Sequence, residues 1–335
     1  MAAKKILVIR LSSAGDIILT SPLLKILKER EPLSEIHFVV KARYADLIFH
    51  NPNVNEVHLV QNDSGIHALE DIRRLFVREK FDLTLDLQNN FRSIYLRRGT
   101  SGEIRVIRKE VVKRAVLVRT KLNLFSHVRS VALKYAQTFD GSISSVGCPE
   151  LFLPPDVIKE TDSIWNKEGD KSRPVIILCP GARHYTKRWP VEYWCQLAGT
   201  LMSKYQLVLL GGDEDVSTCR QIREASGALD FSGKLSLVES AAMLRHAFVV
   251  VTNDSFLMHA ADALRKNLIA LFGSSVHEFG FYPCGSNAKV LEMSDLECRP
   301  CSHVGRESCP KGHFNCMRGL TPEIVSQAIS DFERC

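Results

Sequence analysis

Four polar clusters each follow an apolar run, and their residue types suit the handling of a phosphorylated ligand. Residues 12–16 (SSAGD) set Asp16 directly after Gly15, which permits a tight turn. A carboxylate held at a strand end suits a general base; the plainer reading is a helix N-cap. Residues 179–190 (CPGARHYTKRWP) gather Arg183, His184, Lys187 and Arg188 with the Thr186 hydroxyl and open backbone at Gly181 and Ala182. Charge-assisted hydrogen bonds from such a loop suit a diphosphate; an exposed basic loop is the bland alternative. Residues 211–215 (GGDED) offer acids that suit a ribose diol, or else a turn and a helix cap. The fourth cluster, Thr252, Asn253, Asp254 and Ser255, stands between an apolar run, 248–251, and a helical stripe of Leu257, Ala260, Ala261 and Leu264. The free N–H groups at the start of that helix favour an anion. His259, one turn in, adds a donor. Asp254 or Ser255 acting only as a cap is the competing reading.

The elements that must carry these clusters alternate. Strands are expected at 4–11, 35–40, 56–60 and 81–87, with helices at 17–30, 44–50 and 66–79. This order predicts a doubly wound parallel sheet. Residues 92–135 blur into helix and loop. The second half repeats the pattern, with strands at 174–179, 206–210, 229–231, 248–251, 267–272 and 289–292. Helices fall between them, and a last helix opens at Thr321 and Pro322. We therefore expect an N-terminal Rossmann-like domain over 1–150, a linker over 151–171, a second Rossmann-like domain over 172–320 and a C-terminal helix over 321–335. No Gly-x-Gly-x-x-Gly follows the first strand, which argues against a dinucleotide oxidoreductase. No Walker A sequence is present either.

The 335 residues are 45% hydrophobic and 24% charged, an ordinary globular balance. No run reaches the ~18 apolar residues of a membrane span. Arg10 interrupts the apolar N-terminus, so a signal peptide is not expected and a cytoplasmic location is. The net charge is +6. Residues 92–134 alone carry twelve Lys/Arg and two acids, a local +10 that leaves the remainder at −4. Such a stretch suits an anionic partner, or is simply a solvated face. Only Tyr95 and Phe125 interleave it, so single-stranded nucleic acid is not the expected partner. Of ten cysteines, Cys298, Cys301, Cys309 and Cys316 cluster late. One Cys-x2-Cys pair followed by gaps of seven and six departs from zinc-ribbon spacing. Free thiols or an adventitious disulfide are the cytoplasmic expectation, with a structural zinc site on these four as the alternative.

The motifs together resemble glycosyltransferase family 9, the ADP-heptose:lipopolysaccharide heptosyltransferases, and its heptosyltransferase II branch most. The resembling residues are KILVIR at 5–10 with Gly15 and Asp16, CPGA at 179–182 with KRWP at 187–190, and VTNDS at 251–255 with Leu257, Met258 and His259. The late cysteine run also looks like that of many members. The resemblance implies an α/β GT-B fold, two Rossmann-like domains with parallel sheets facing across a cleft. It implies inverting transfer of L-glycero-D-manno-heptose from ADP-heptose to the Kdo/heptose inner core of lipopolysaccharide. By motif position Asp16 matches the catalytic base and Lys187 the lysine that holds donor phosphate. Gly181, Ala182, Arg183, Thr186, Asn253, Asp254, Ser255, Phe256, Leu257 and His259 fall in the donor site, and Asp213 or Glu214 where the ribose acid belongs. Ser12, Ser13, Gly15, Gln88, Asn90, Arg92 and Arg119 are assigned to the acceptor side. Phe256 stands where the family usually has Gly, which permits positive φ and close backbone approach. No metal is required by this reading, and Mg²⁺ is expected at most to stimulate. Kdo-lipid A or heptosyl-Kdo-lipid A is the expected acceptor, and the inner face of the cytoplasmic membrane a peripheral partner. A GT-B transferase with another nucleotide-sugar, and a non-catalytic nucleotide- or glycolipid-binding homologue, remain as alternatives.

Overall fold

The computed structural model describes residues 3–61 and 66–334. The chain divides into two compact units, Met1–Lys109 with Arg129–Pro154, and Glu110–Val128 with Pro155–Cys335.

In the first unit β1 (Lys5–Ile9) leads into α1 (Ala14–Ile18) and α2 (Ser21–Arg30). Then come β2 (Glu35–Lys41), β3 (Glu56–Val60), α3 (Ile66–Glu79), β4 (Leu83–Asp86), α4 (Phe91–Arg97) and β5 (Glu103–Val106). The chain leaves for the second unit as α5 (Val111–Thr120) and returns as α6 (Val131–Phe139). The five strands are parallel in the order β3-β2-β1-β4-β5. Parallel strands covered on both faces read as unbroken apolar runs, as in Ile6, Leu7, Val8 and Ile9 of β1. One face packs Leu7, Ile9, Val39 and Val60 against Leu69, Phe76, Phe81 and Leu96.

The second unit runs α7 (Pro155–Glu168), β6 (Val175–Cys179), α8 (Val191–Leu201), β7 (Gln206–Leu209), α9 (Val216–Ser226) and β8 (Leu229–Asp230). It continues with α10 (Leu237–Met243), β9 (Val249–Asn253), α11 (Phe256–Ala263), β10 (Asn267–Phe272), β11 (Ala288–Glu292), α12 (Asn315–Arg318) and α13 (Pro322–Ser330). Its sheet is parallel in the order β11-β10-β9-β6-β7-β8. Trp189 and Trp194 anchor its core, and the Trp189 indole N–H donates to the Leu320 carbonyl at 2.7 Å.

Several expectations need correction. The helix expected over 17–30 is two helices. Pro22, in the first turn of α2, has no N–H for the Ile18 carbonyl. The Ser21 hydroxyl donates to that carbonyl instead, at 2.8 Å. Strand β5 lies hidden in the basic stretch because an exposed edge strand needs no apolar run. The stretch taken as a linker is mostly α7. Its Pro155 is a helix-start residue as well as a breaker, and Trp165 is buried, stacked on His246 with ring centroids 5.1 Å apart. The last helix is no separate piece, since Val325, Ala328 and Ile329 lie in the second core. Residues 110–128, expected in the first domain, belong to the second unit. Lys121 Nζ donates to the Cys298 and Pro300 carbonyls at 3.1 and 2.6 Å, and Asn123 Nδ2 to Glu278 at 2.9 Å.

Candidate active site

In a doubly wound sheet, ligands bind beyond the carboxyl ends of the strands, where the strand order reverses direction. In the first unit that point lies between β1 and β4, and in the second between β6 and β9. The polar clusters occur at both.

At the first switch point the loops after β1 and β4 are tied together. Gln88 Oε1 accepts the backbone N–H groups of Leu11 and Ser12 at 3.0 and 3.2 Å. Arg10 donates to the Leu87 carbonyl at 2.6 Å and pairs with Asp16 at 2.8 Å. Ser13 Oγ donates to the same Asp16 oxygen at 2.7 Å, and Tyr135 donates to the other at 3.0 Å. Asp16 is thus the third residue of α1, not its cap; Ser13 is the N-cap. Burial pushes the Asp16 carboxyl up, but the Arg10 charge and the hydrogen bonds from Ser13 and Tyr135 outweigh it. The group sits below the ordinary carboxylate range and is ionised at neutral pH. Gly15 is buried in α1, while the Ser13 side is open.

Asp86 organises the loop after β4. It accepts the N–H groups of Gln88 and Asn89 at 3.0 and 2.7 Å on one oxygen, and Ser93 and Arg97 on the other, both at 2.9 Å. Asn90 caps α4, accepting from Ser93 N at 3.1 Å. Arg92, in the first turn of α4, is exposed. Arg119 is not among these residues: it is exposed on α5, in the second unit.

At the second switch point Asn253 is fully buried and braces the loop after β6. It accepts from Trp189 N at 3.1 Å and donates to the Pro180 carbonyl at 2.7 Å. Thr186 is likewise buried, donating to Ser274 at 3.1 Å and accepting from Arg306 N at 2.9 Å. Both side chains brace the loop after β6 through these bonds. Arg188 donates to the Ala182 carbonyl at 2.6 Å, while Arg183 is exposed. Lys187 Nζ lies 2.7 Å from Asp254, which also accepts from Ser275 Oγ at 2.7 Å. Burial opposes ionisation of Asp254, but Lys187, Ser275 and the nearby His259 hold its carboxyl below the usual range. Ser255 is the N-cap of α11, and its hydroxyl meets that of Thr252 at 3.3 Å. Leu257 is buried beneath the helix start. Phe256 is the first residue of α11 and half-buried, and its φ is not positive. The backbone here therefore needs no glycine for its conformation.

Asp213 and Glu214 are both exposed in a short 3₁₀ turn. The acid brought against the β6 loop is Asp215, which accepts from Gly212 N at 3.0 Å. A Cβ on Gly181 would lie 2.2 Å from an Asp215 carboxyl oxygen, so Gly181 is a close-approach glycine. Burial pushes the Asp215 carboxyl above its usual value. The sequence reading missed roles for Arg10, Asp86, Tyr135, Asp215 and Ser275. Arg10 carried a signal, a charge closing an apolar strand; Tyr135 lay in the blurred region and carried none. The thiols of Cys298, Cys301, Cys309 and Cys316 are free and share one neighbourhood, where burial first and then their mutual proximity push Cys316 up to about 11.

Two doubly wound parallel units with polar loops gathered at each switch point make this a GT-B protein. A family model described as "Glycosyltransferase family 9 (heptosyltransferase)" matches residues 71–309. The chain belongs to glycosyltransferase family 9, and is a glycosyltransferase. Lipopolysaccharide heptosyltransferase 2 of Salmonella typhimurium strain LT2 is 30% identical, with 97% of each chain covered. The Escherichia coli K12 protein of that name is 28% identical over 97% of each. The fold is shared with the crystal structure of a family 9 glycosyl transferase from Veillonella parvula, at a TM-score of 0.83 and 23% identity over 99% of this chain and 98% of that one. It is shared as well with Escherichia coli ADP-heptose LPS heptosyltransferase II, at 0.73 and 24% over 98% of each.

Proposed function

We propose that this enzyme moves L-glycero-D-manno-heptose from ADP-heptose to the Kdo/heptose inner core of lipopolysaccharide, inverting the anomeric carbon. The observation that carries the reading is the 30% identity along nearly the whole chain to a lipopolysaccharide heptosyltransferase 2.

The chemistry follows from the groups at the two switch points. Asp16, ionised and held by Arg10, Ser13 and Tyr135, takes the proton of the acceptor hydroxyl as that oxygen attacks the anomeric carbon. The bond from that carbon to the phosphate oxygen breaks, and its electron pair leaves on ADP. The transition state is oxocarbenium-like. Growing charge on the diphosphate is met by Lys187, released from Asp254, and by the free N–H groups opening α11. Gly181, Ala182 and Arg183 line the diphosphate loop, and Asp213, Glu214 and Asp215 are the ribose-side acids. Ser12, Ser13, Gly15, Gln88 and Arg92 serve the acceptor. No metal is required by this reading, and Mg²⁺ would at most stimulate the transfer by screening the diphosphate.

We place the enzyme in the cytoplasm, on the inner face of the membrane. Val111, Val112, Leu122 and Leu124 are exposed beside Lys113, Arg119 and Lys121. Apolar side chains among cations suit an anionic lipid surface, at about 1 kcal/mol per basic residue. The test is ADP release by purified protein from ADP-heptose with Kdo-lipid A or heptosyl-Kdo-lipid A. Thermal shifts with ADP, UDP and GDP run beside it. Release with either acceptor, and stabilisation by ADP above the others, is expected; a preference for UDP rejects the reading.

A further inference from the structure

The core face of the first unit carries an anomaly at the amino-terminal end of its strands, far along the sheet from Asp16. On that face of β2 and β3 the pleat sets Val39 and Val60 into the apolar layer. Two residues back from Val39 and from Val60, the same face holds His37 and His58. Both are buried, at 3% and 6% exposure. Phe76 and Phe81 pack edge-on against them, His58 on Phe76 at 5.3 Å and His37 on Phe81 at 5.0 Å between ring centroids. His37 Nδ1 stands 3.0 Å from His58 Nε2. Glu56, opposite His37 in the register, brings its carboxylate to 3.4 Å from His37 Nδ1 and 3.6 Å from His58 Nδ1.

We propose that His37, His58 and Glu56 form a binding site for a divalent transition metal of the zinc class. One nitrogen from each ring and one carboxylate oxygen lie within 4.8 Å of one another. Zinc binds nitrogen and carboxylate oxygen at about 2.0–2.2 Å, so two ligand atoms on a tetrahedral ion stand ~3.3 Å apart. The 3.0 and 3.4 Å separations bracket that edge. Two imidazoles and one carboxylate are a zinc donor set that leaves a fourth position open to water. Burial first holds both histidines below their ordinary pKa, against the pull of Glu56. A neutral imidazole offers one nitrogen lone pair, so each ring can supply one ligand, and the His37–His58 contact gives way to the ion when it binds. The other charged groups facing the pair are Glu35, Glu79 and Lys5, with Lys5 held by Glu79 at 2.7 Å. The ligands sit on adjacent strands, so a bound ion would tie edge strand β3 to β2. This site plays no part in sugar transfer.

The test uses the full chain loaded with Zn²⁺ or Co²⁺, then desalted, with Glu56→Ala and His58→Gln as variants. Glu56 is exposed, so its replacement leaves the core intact. Retention of about one ion per chain is expected. The cobalt spectrum should show nitrogen and oxygen ligation without a thiolate charge-transfer band. Affinity should fall at least about tenfold in Glu56→Ala, with sugar transfer unchanged, and retention should be lost in His58→Gln. Zn²⁺ should raise the wild-type Tm and leave that of Glu56→Ala unmoved. No retained metal, retention undiminished in both variants, or cobalt bound only through the late cysteines would each overturn the proposal.

Discussion

Arg10 decides what Asp16 can do. Burial alone would lift the Asp16 carboxyl, and Arg10 is the largest force holding it down. In the wild type, activity should keep its plateau through neutral pH and fall only below the ordinary carboxylate range. In Arg10→Ala the unopposed burial should carry the acid limb of kcat/KM up toward neutrality. A pH–rate profile reads this directly, and an unmoved limb would remove Asp16 from the role of base. Asp16→Asn should lower kcat about 10²–10⁴-fold, the usual worth of a general base, and should lower Tm as well, because it leaves the buried Arg10 charge unpaired. The sign for stability runs the same way for Asp16 and Asp254. Their folded pKa values are depressed, so the stabilisation is present above the unfolded carboxylate pKa and is lost as pH falls through the folded one.

Lys187 and Asp254 form a buried pair, with 16% and 6% of their side chains exposed. Removing one partner strands a charge, at about 3–5 kcal/mol. Lys187→Met should therefore melt well below wild type, and Lys187→Met with Asp254→Asn should recover most of that loss. ADP affinity should stay weak in both, which separates the lysine's service to the ligand from its service to the fold. Equal melting of the single and double variants would contradict the pairing.

At the scale of elements, loops and helix starts must approach each other closely, and glycine sets how closely. Gly181→Ala would drive a Cβ into the Asp215 carboxylate. Overpacking of this kind costs about 1–3 kcal/mol. Asp215→Ala added to Gly181→Ala should return the lost stability, measured by denaturant melts; no recovery would mean the loop clashes elsewhere. Phe256 is the opposite case. Its backbone conformation is ordinary, so Phe256→Gly should fold, lose about 1 kcal/mol or less at the helix end, and tighten ADP binding by baring the first N–H groups of α11. Unchanged affinity in calorimetry would show that the ring does not cover them.

The elements were legible where periodicity was unopposed. β3, α3 and β10 begin and end at the residues their patterns indicate. Legibility failed where another force shaped the chain: side-chain hydroxyls splitting α1 from α2, and an edge strand free of apolar demand at β5. At the site, the polar runs marked the loops correctly as loops. Contact chemistry decided which member of each run faces inward: Asp215 over Asp213 and Glu214, and Asn253 and Thr186 as braces.

At the scale of the molecule, two cores are built by one chain that changes unit three times, at 109/110, 128/129 and 154/155. The second unit is thus not a contiguous C-terminal piece. A fragment starting at residue 155 lacks α5 and the Lys121 contacts to the Cys298 and Pro300 carbonyls. It should melt below the same unit supplied with residues 110–128 as a separate peptide; identical melts would show that α5 adds nothing to that unit's stability.

Those three crossings also bear on inheritance. Two relatives recombined once, at 154/155, would yield a hybrid whose α5 comes from one parent and its seat from the other. The basic and apolar face of that helix would then be grafted onto foreign ground. A clean exchange of the first unit between such enzymes needs two further junctions, flanking residues 110–128, and drift in that helix is constrained by the unit it visits rather than by the strands it interrupts.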